Sequence, residues 1–214
     1  MCLIGLDFSN FPMANTHYWN RFFDIFSKLL TGAIVSFLFY FLLVAWPENR
    51  KRKVIKSNLI QKYKYIRYNI LSAFLMASYK GGRNDLYPDS KTVNRLLDPI
   101  QFKHEFSSKN KNGGIYPFRN YIDNGGPEYK RIIQELKLLQ REIDYLAHNY
   151  TIFDAETFKE LRHLEDVILD LDFIGSGYNE EKTLTNFLYY FFTGFSWIDG
   201  GEERDPVNEI LQKL

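Results

Sequence analysis

Leu29 to Trp46 reads LLTGAIVSFLFYFLLVAW, eighteen residues without a charge. A helix of about 20 such residues crosses the hydrocarbon core of a bilayer, so this run predicts a transmembrane helix over 29–47. Phe22, Phe23, Ile25 and Phe26 extend the apolar stretch upstream, interrupted by Asp24 and Lys28. A lysine at that depth can snorkel to the headgroups. Trp19 and Trp46 bracket the segment, about 40 Å apart at helical rise, where indole rings favour the membrane–water interface. Pro47 is expected to end or kink the helix at that boundary. A buried helix of a soluble core fits poorly, because Arg50-Lys51-Arg52-Lys53 follows at once. A cleavable signal peptide fits worse: the apolar run starts late, the positive charge follows it, and Leu43-Val44-Ala45 is a poor cleavage site.

The formal net charge of +1 hides a segregation. Residues 50–84 hold ten cations and no acid: Arg50, Lys51, Arg52, Lys53, Lys56, Lys62, Lys64, Arg67, Lys80 and Arg83. Residues 128–214 hold eighteen acids against nine cations. Near the apolar run, the cations crowd the C-terminal side, while the N-terminal side offers Arg21 and Lys28. The positive-inside rule then places the C-terminal portion in the cytoplasm and a short tail, 1–28, outside. The Asn149-Tyr150-Thr151 sequon would face the wrong compartment for glycosylation. A uniformly basic nucleic-acid binder is excluded by the overall balance. The basic block is read as a topology determinant that contacts anionic lipid headgroups through Arg50, Lys51, Arg52, Lys53, Lys56, Lys62, Lys64 and Arg67, and is partly neutralised by the acidic helices. Nucleic acid is not expected as a partner.

Beyond the membrane segment the pattern is helical. Ile55, Leu59, Tyr63, Ile66, Ile70 and Phe74 recur at helical spacing, and Gly81-Gly82 is expected to stop that helix. The segment 48–80 therefore reads as a basic juxtamembrane helix, and 81–127 as an irregular linker with a short helix over Ser90–Leu97. In 128–148, Ile132, Leu136, Leu139, Ile143 and Leu146 form a seam suited to a bundle or coiled coil. Phe158, Leu161, Leu164, Ile168 and Leu171 form the next apolar face, after Asp154 as its cap. Asn179 caps a third helix, and Asp205-Pro206 opens a last one carrying Val207, Ile210 and Leu211. No run alternates with period two. The expected fold is all-α: one N-terminal transmembrane helix, then an acidic helical bundle, 128–214, packing with 54–79. Leu184 to Ile198 is a second uncharged run. It reads either as the centre of the bundle or as an aromatic helix able to enter the inner leaflet, with Phe187, Phe191, Phe192, Phe195 and neighbouring Phe173 beside Trp197.

Catalytic signatures are sparse. No phosphate-binding glycine loop, dinucleotide pattern or His-Glu-x-x-His occurs. Gly175-Ser176-Gly177 lacks the strand-turn-helix frame of a nucleophile elbow. The lone cysteine, Cys2, excludes an intramolecular disulfide framework and a cysteine-built zinc site. Glu160, His163 and Asp166 share the spacing of a di-iron Glu-x-x-His face, but the second copy such a site needs is missing, and a solvated helix face explains them as well. His104-Glu105 is weaker still, and His148 suits the end of a helix. No cofactor and no catalysis are expected.

Phe39-Tyr40-Phe41 in the span, Pro47-Glu48-Asn49-Arg50-Lys51-Arg52-Lys53 after it, the Glu135-Leu136 to Glu142-Ile143 helix and Leu164-Glu165-Asp166-Val167-Ile168 carry a resemblance. In that layout the chain is similar to uncharacterised bacterial single-span membrane proteins with a helical cytoplasmic domain. The resemblance implies an inner-membrane location and a lean toward a sensor or effector, because such proteins often accompany defence or mobile-element genes. It implies no catalytic residues. The functional expectation is an anchored helical interaction or sensor module, with a homo-oligomer or a cytoplasmic protein as partner. Two alternatives stand beside it: a membrane-disrupting effector using 184–198, and a metal-dependent enzyme using Glu160, His163 and Asp166.

Overall fold

The computed structural model describes residues 16–107, 110–122, 126–149, 155–173, 178–194, 203 and 205–213. Among them the regular structure is entirely helical. Two compact units divide the chain, Met1–Val54 and Ile55–Leu214.

The described residues of the first unit form one helical run. Helix α1 (Thr16–Tyr40) passes through a π-helical turn, Phe41–Ala45, into α2 (Trp46–Lys80). Of the two outcomes expected at Pro47, an end or a kink, the end does not occur: the helix continues. Proline has no N–H and its ring crowds the carbonyl four residues back, and a wider turn just before it relieves that conflict. The Trp46 N–H bonds to the Phe41 carbonyl, the five-residue reach of a π turn. Apolar side chains stay exposed along this unit, Leu29, Phe37 and Leu43 among the most open. Polar groups are satisfied locally: Lys28 pairs with Asp24 at 2.6 Å, and the Thr31 hydroxyl donates to the Ser27 carbonyl at 2.8 Å. Among the described residues one helix, near the N-terminus, is long and apolar enough to cross a membrane, and none of its most apolar window is buried.

In the second unit α2 turns one face inward. Leu59, Tyr63, Ile66, Ile70 and Phe74 are all buried, as the helical spacing predicts. Lys80 is its last residue. The Arg83 N–H then returns to the Ser78 carbonyl and the Gly82 N–H to the Tyr79 carbonyl, a Schellman closure. Gly82 takes the left-handed conformation this closure needs, with φ of +114°.

The segment 81–127, read as an irregular linker with one short helix over Ser90–Leu97, holds that helix and two more. It contains α3 (Ser90–Leu96), α4 (Pro99–Phe106) and α5 (Tyr116–Ile122). Asp89 caps α3 by accepting from the Thr92 N–H, and Asp98 caps α4 by accepting from the Gln101 N–H, with Pro99 at the first helical position. These short helices feed the core. Phe74 stacks on Phe118 with centroids 4.1 Å apart and meets Phe106 edge-on at 4.8 Å. Phe102 lies 4.7 Å from Phe106 and 5.1 Å from Phe192. One aromatic cluster thereby joins α2, α4 and α5 to Phe192.

Helices α6 (Pro127–Asn149), α7 (Ala155–Phe173), α8 (Tyr178–Thr193) and α9 (Pro206–Lys213) complete the unit. Helix α6 packs on α7, and α8 packs on α4, α5 and α7. The seam Ile132, Leu136, Leu139, Ile143, Leu146 is buried throughout, and so are Leu161, Leu164, Ile168 and Leu171. Between α2, α6, α7 and α9 the residual space is only about 10 Å³, near the lower limit for one water. The seam is thus occupied within the chain itself.

Because Phe74 is fully buried at the junction of four helices, Phe74→Ala is expected to cost about 3–5 kcal/mol, from lost burial plus the cavity. Denaturant unfolding monitored by far-ultraviolet circular dichroism measures it, and a loss under about 1 kcal/mol would contradict this packing.

Candidate functional site

Two polar constellations interrupt the apolar core of the second unit. The first is built on Arg83, 1% exposed and placed by the Schellman turn. Its guanidinium grips Asp85 with two bonds of 2.9 Å and donates to the carbonyls of Glu105 and Gly114, each at 3.1 Å. A further bond of 3.2 Å reaches the Glu105 carboxylate, which also pairs with Arg95 at 3.1 Å. The guanidinium lies 5.4 Å from the centre of the Phe106 ring. Gly114 is held so close to the Ser107 carbonyl that a Cβ there would approach it to 2.3 Å. The bonds from Arg83 hold the Asp85 carboxyl below its ordinary range, against the opposing effect of partial burial. Arg83 spends its donors on this chain, which makes it a clasp between the end of α2, α4 and the loop before α5.

The second constellation joins α2 to α9. Arg67 forms an ion pair with Asp205, and its other terminal nitrogen lies 3.4 Å from the Leu97 carbonyl. The Tyr63 hydroxyl donates to the same carboxylate at 2.7 Å. Asp205 also caps α9 by accepting from the Asn208 N–H at 3.0 Å. The guanidinium sits within 6 Å of the ring centres of Tyr63, Phe191 and Phe192. Burial, reinforced by the Asp205 charge, pushes the Tyr63 hydroxyl well above its ordinary pKa, so it remains a donor. Among the described residues two buried polar atoms here have no hydrogen-bond partner: Nε of Arg67 and Oδ1 of Asn208. Both residues line a cleft of about 490 Å³, with Lys64, Tyr65, Tyr68 and Asn94 around it.

The basic residues expected to face lipid divide. Arg50, Lys51, Lys53 and Lys64 are exposed. Arg52 pairs with Glu48 at 2.8 Å. Lys56 donates to the Gln212 carbonyl, and Lys62 pairs with Glu142 at 2.7 Å while remaining 59% exposed. Arg67 is removed from the lipid-facing set: at 9% exposure it is a core residue whose charge is answered by Asp205. Lys80, further along, pairs with Glu128 at 2.5 Å. Donating to the Glu128 carboxylate raises the Lys80 pKa. Burial would raise that of Glu128, but the bonds from Lys80 and Tyr121 outweigh it and leave it lowered. Trp19 and Trp46 are both exposed.

His163 and Asp166 are exposed on α7, while the Glu160 side chain lies outside the described residues. Among the described residues no group of three or more histidine, cysteine, aspartate or glutamate side chains gathers for a metal ion. In the second uncharged run, Leu184, Phe187, Leu188, Phe191 and Phe192 are buried. Phe195, Trp197 and Ile198 lie outside the described residues, as do the Phe173 side chain and residues 150–151 of the sequon. The Asp205-Pro206 helix start was readable in the sequence. The partner Asp205 would find was not, because 138 residues separate it from Arg67. No protein-family model matches the chain, and neither a curated protein nor a solved structure shows significant similarity to it.

Asp205 serves an ion pair, a tyrosine hydroxyl and a helix cap at once. Asp205→Ala is therefore expected to release α9, with the cap alone contributing about 1 kcal/mol. Amide exchange in 206–213 should accelerate while that of α4 holds. Unchanged protection of α9 would contradict the assigned contacts.

Proposed function

We propose that the chain is a membrane-anchored helical interaction module of the bacterial inner membrane, without catalysis of its own. One observation carries the reading: an eighteen-residue uncharged segment with no buried residue in its most apolar window, followed at once by Arg50-Lys51-Arg52-Lys53. In water, an apolar surface of that size exposed on a single helix is unfavourable, and lipid removes the penalty. Trp19 and Trp46 mark the two interfaces, residues 29–47 span, and the cation excess holds the C-terminal helices, a bundle in this reading, on the cytoplasmic side. The exposed cations near the span contact anionic headgroups.

The helical unit docks a cytoplasmic protein or a second copy of the chain. Because the seam from Ile132 to Leu146 is consumed internally, a partner must use another surface, such as the exposed Leu138 and Tyr145 on α6. The membrane-disrupting alternative requires α8 to leave the core, exposing the groove that Leu184, Phe187, Leu188, Phe191 and Phe192 fill. That cost makes it the less favoured reading.

A reporter active only in the cytoplasm, fused after Leu214, should be active, and carbonate extraction should leave the protein in the membrane pellet. Changing Arg50, Lys51, Arg52 and Lys53 to glutamate should weaken or invert insertion and silence the reporter. Release of the wild-type protein into the carbonate supernatant would refute the anchor.

A further inference from the structure

Helix α9 occupies a seat built for a short amphipathic helix. It is eight residues long, too short to be stable alone in water. Val207 and Leu211 are buried beside Leu59 and Ile66 of α2, Leu139 and Ile143 of α6 and Leu161 of α7. Both ends of α9 are tied to α2. Asp205 pairs with Arg67 and accepts from Tyr63, and Lys56 donates to the Gln212 carbonyl.

Unfavourable terms gather where α9 is attached. Glu203, two residues before the Asp205 cap, has φ of +68°, a left-handed conformation that a residue with a Cβ rarely adopts. Its N–H bonds to the Thr193 carbonyl at the end of α8, at 3.0 Å, which holds it there. Among the described residues, Arg67 Nε and Asn208 Oδ1 are buried at the same seat without a hydrogen-bond partner. A strained backbone and unmade buried polar groups both cost stability. Water satisfies the two polar atoms once α9 lifts away, so the seat opens more readily than apolar packing alone would allow. The strain at Glu203 has a different consequence. It belongs to the link between α8 and α9 of one chain, not to the seat. Nothing in the groove distinguishes that chain's α9 from the α9 of a second copy, and only the strained link differs between the two.

We propose that α9 exchanges between two copies of the chain, each seating its last helix in the other's groove. Exchange keeps the contacts of Asp205, Val207, Leu211 and Gln212, relaxes Glu203, and yields a symmetric dimer, for which swapping an identical element is a low-cost route. Two copies anchored in one bilayer meet at a raised effective concentration, which favours the exchange further. The seam from Ile132 to Leu146 stays covered throughout, because one α9 replaces another. The inference rests on the reading of the unit as an interaction module, and it names the partner as a second copy and the surface as the α9 seat.

The test co-expresses two differently tagged full-length copies in a Cys2→Ser background, one with Lys56→Cys and the other with Gln212→Cys, and treats them with a short bis-maleimide. A product joining the two tags is expected. Val207→Asp in the copy carrying Gln212→Cys, with its helicity checked by circular dichroism, should lower the yield at least about tenfold, because a charge cannot enter the apolar seat. Glu203 is exposed, so Glu203→Gly in both copies keeps the fold. By removing the strain that exchange relieves, it should lower the yield about threefold or more. Three results would overturn the proposal: no product joining the tags while a single chain carrying both cysteines cross-links internally, a yield indifferent to Val207→Asp, or a yield indifferent to Glu203→Gly. The first would leave the module with a cytoplasmic protein as its partner. The cross-link forms wherever the chain resides, so a failed exchange is distinguishable from a failed anchor, which carbonate extraction reads separately.

Discussion

The buried charge of α2 has to be answered from far along the chain. Residues 50–84 contain no acid, so each cation that α2 turns inward needs a carboxylate from elsewhere. Arg67 finds Asp205, Lys80 finds Glu128 and Lys62 finds Glu142, while Asn69 donates to Glu135 at 2.9 Å. These contacts differ in weight. Lys62 is mostly exposed, so its pair adds little to stability. Arg67 and Arg83 are buried, and an unanswered buried charge costs several kcal/mol. They therefore select which later elements may lie against α2: α9 for Arg67, and the 81–114 region for Arg83. Apolar packing supplies most of the favourable energy, but it is less selective among helices with similar faces.

Much of the helical unit was legible from spacing. The face from Leu59 to Phe74 and the seam from Ile132 to Leu146 lie inside as the period-3.6 pattern requires, because burying one stripe is how a helix in a folded unit gains stability. Gly81-Gly82 announced the end of α2, and Asp205-Pro206 the start of α9. In 81–127 the helix over Ser90–Leu97 was legible and α3 lies there, whereas α4 and α5, of one or two turns each, are too short for periodicity to register. Local chemistry held the signal: Asp98-Pro99 is a cap followed by a proline at the first helical position, and Asp89 precedes Ser90 in the same role. The Arg67–Asp205 junction and its cleft had no such signal. Charge content told that the basic block would be partly neutralised, but not which arginine would turn inward. Arg67 falls between Ile66 and Ile70, at the border of the buried stripe, where only packing against Phe191, Phe192 and Leu97 decides.

The segment before the helical unit obeys a different rule. From Trp19 to Val44 the large apolar side chains are exposed around the helix, so no inward stripe exists and the periodic signal is absent by design. Within it the Thr31 hydroxyl donates to the Ser27 carbonyl and Lys28 pairs with Asp24, both along the helix itself. The π turn before Pro47 keeps the helix running through a residue that would otherwise break it.

The most direct measurement of the proposed span is single-cysteine labelling of the full chain in a Cys2→Ser background, with a membrane-impermeant maleimide. Positions within 30–45 should resist labelling in both intact and permeabilised cells. Positions before Trp19 should label in intact cells, and positions just beyond Lys53 only after permeabilisation. Labelling of 30–45 as rapid as that beyond Lys53 would contradict the account.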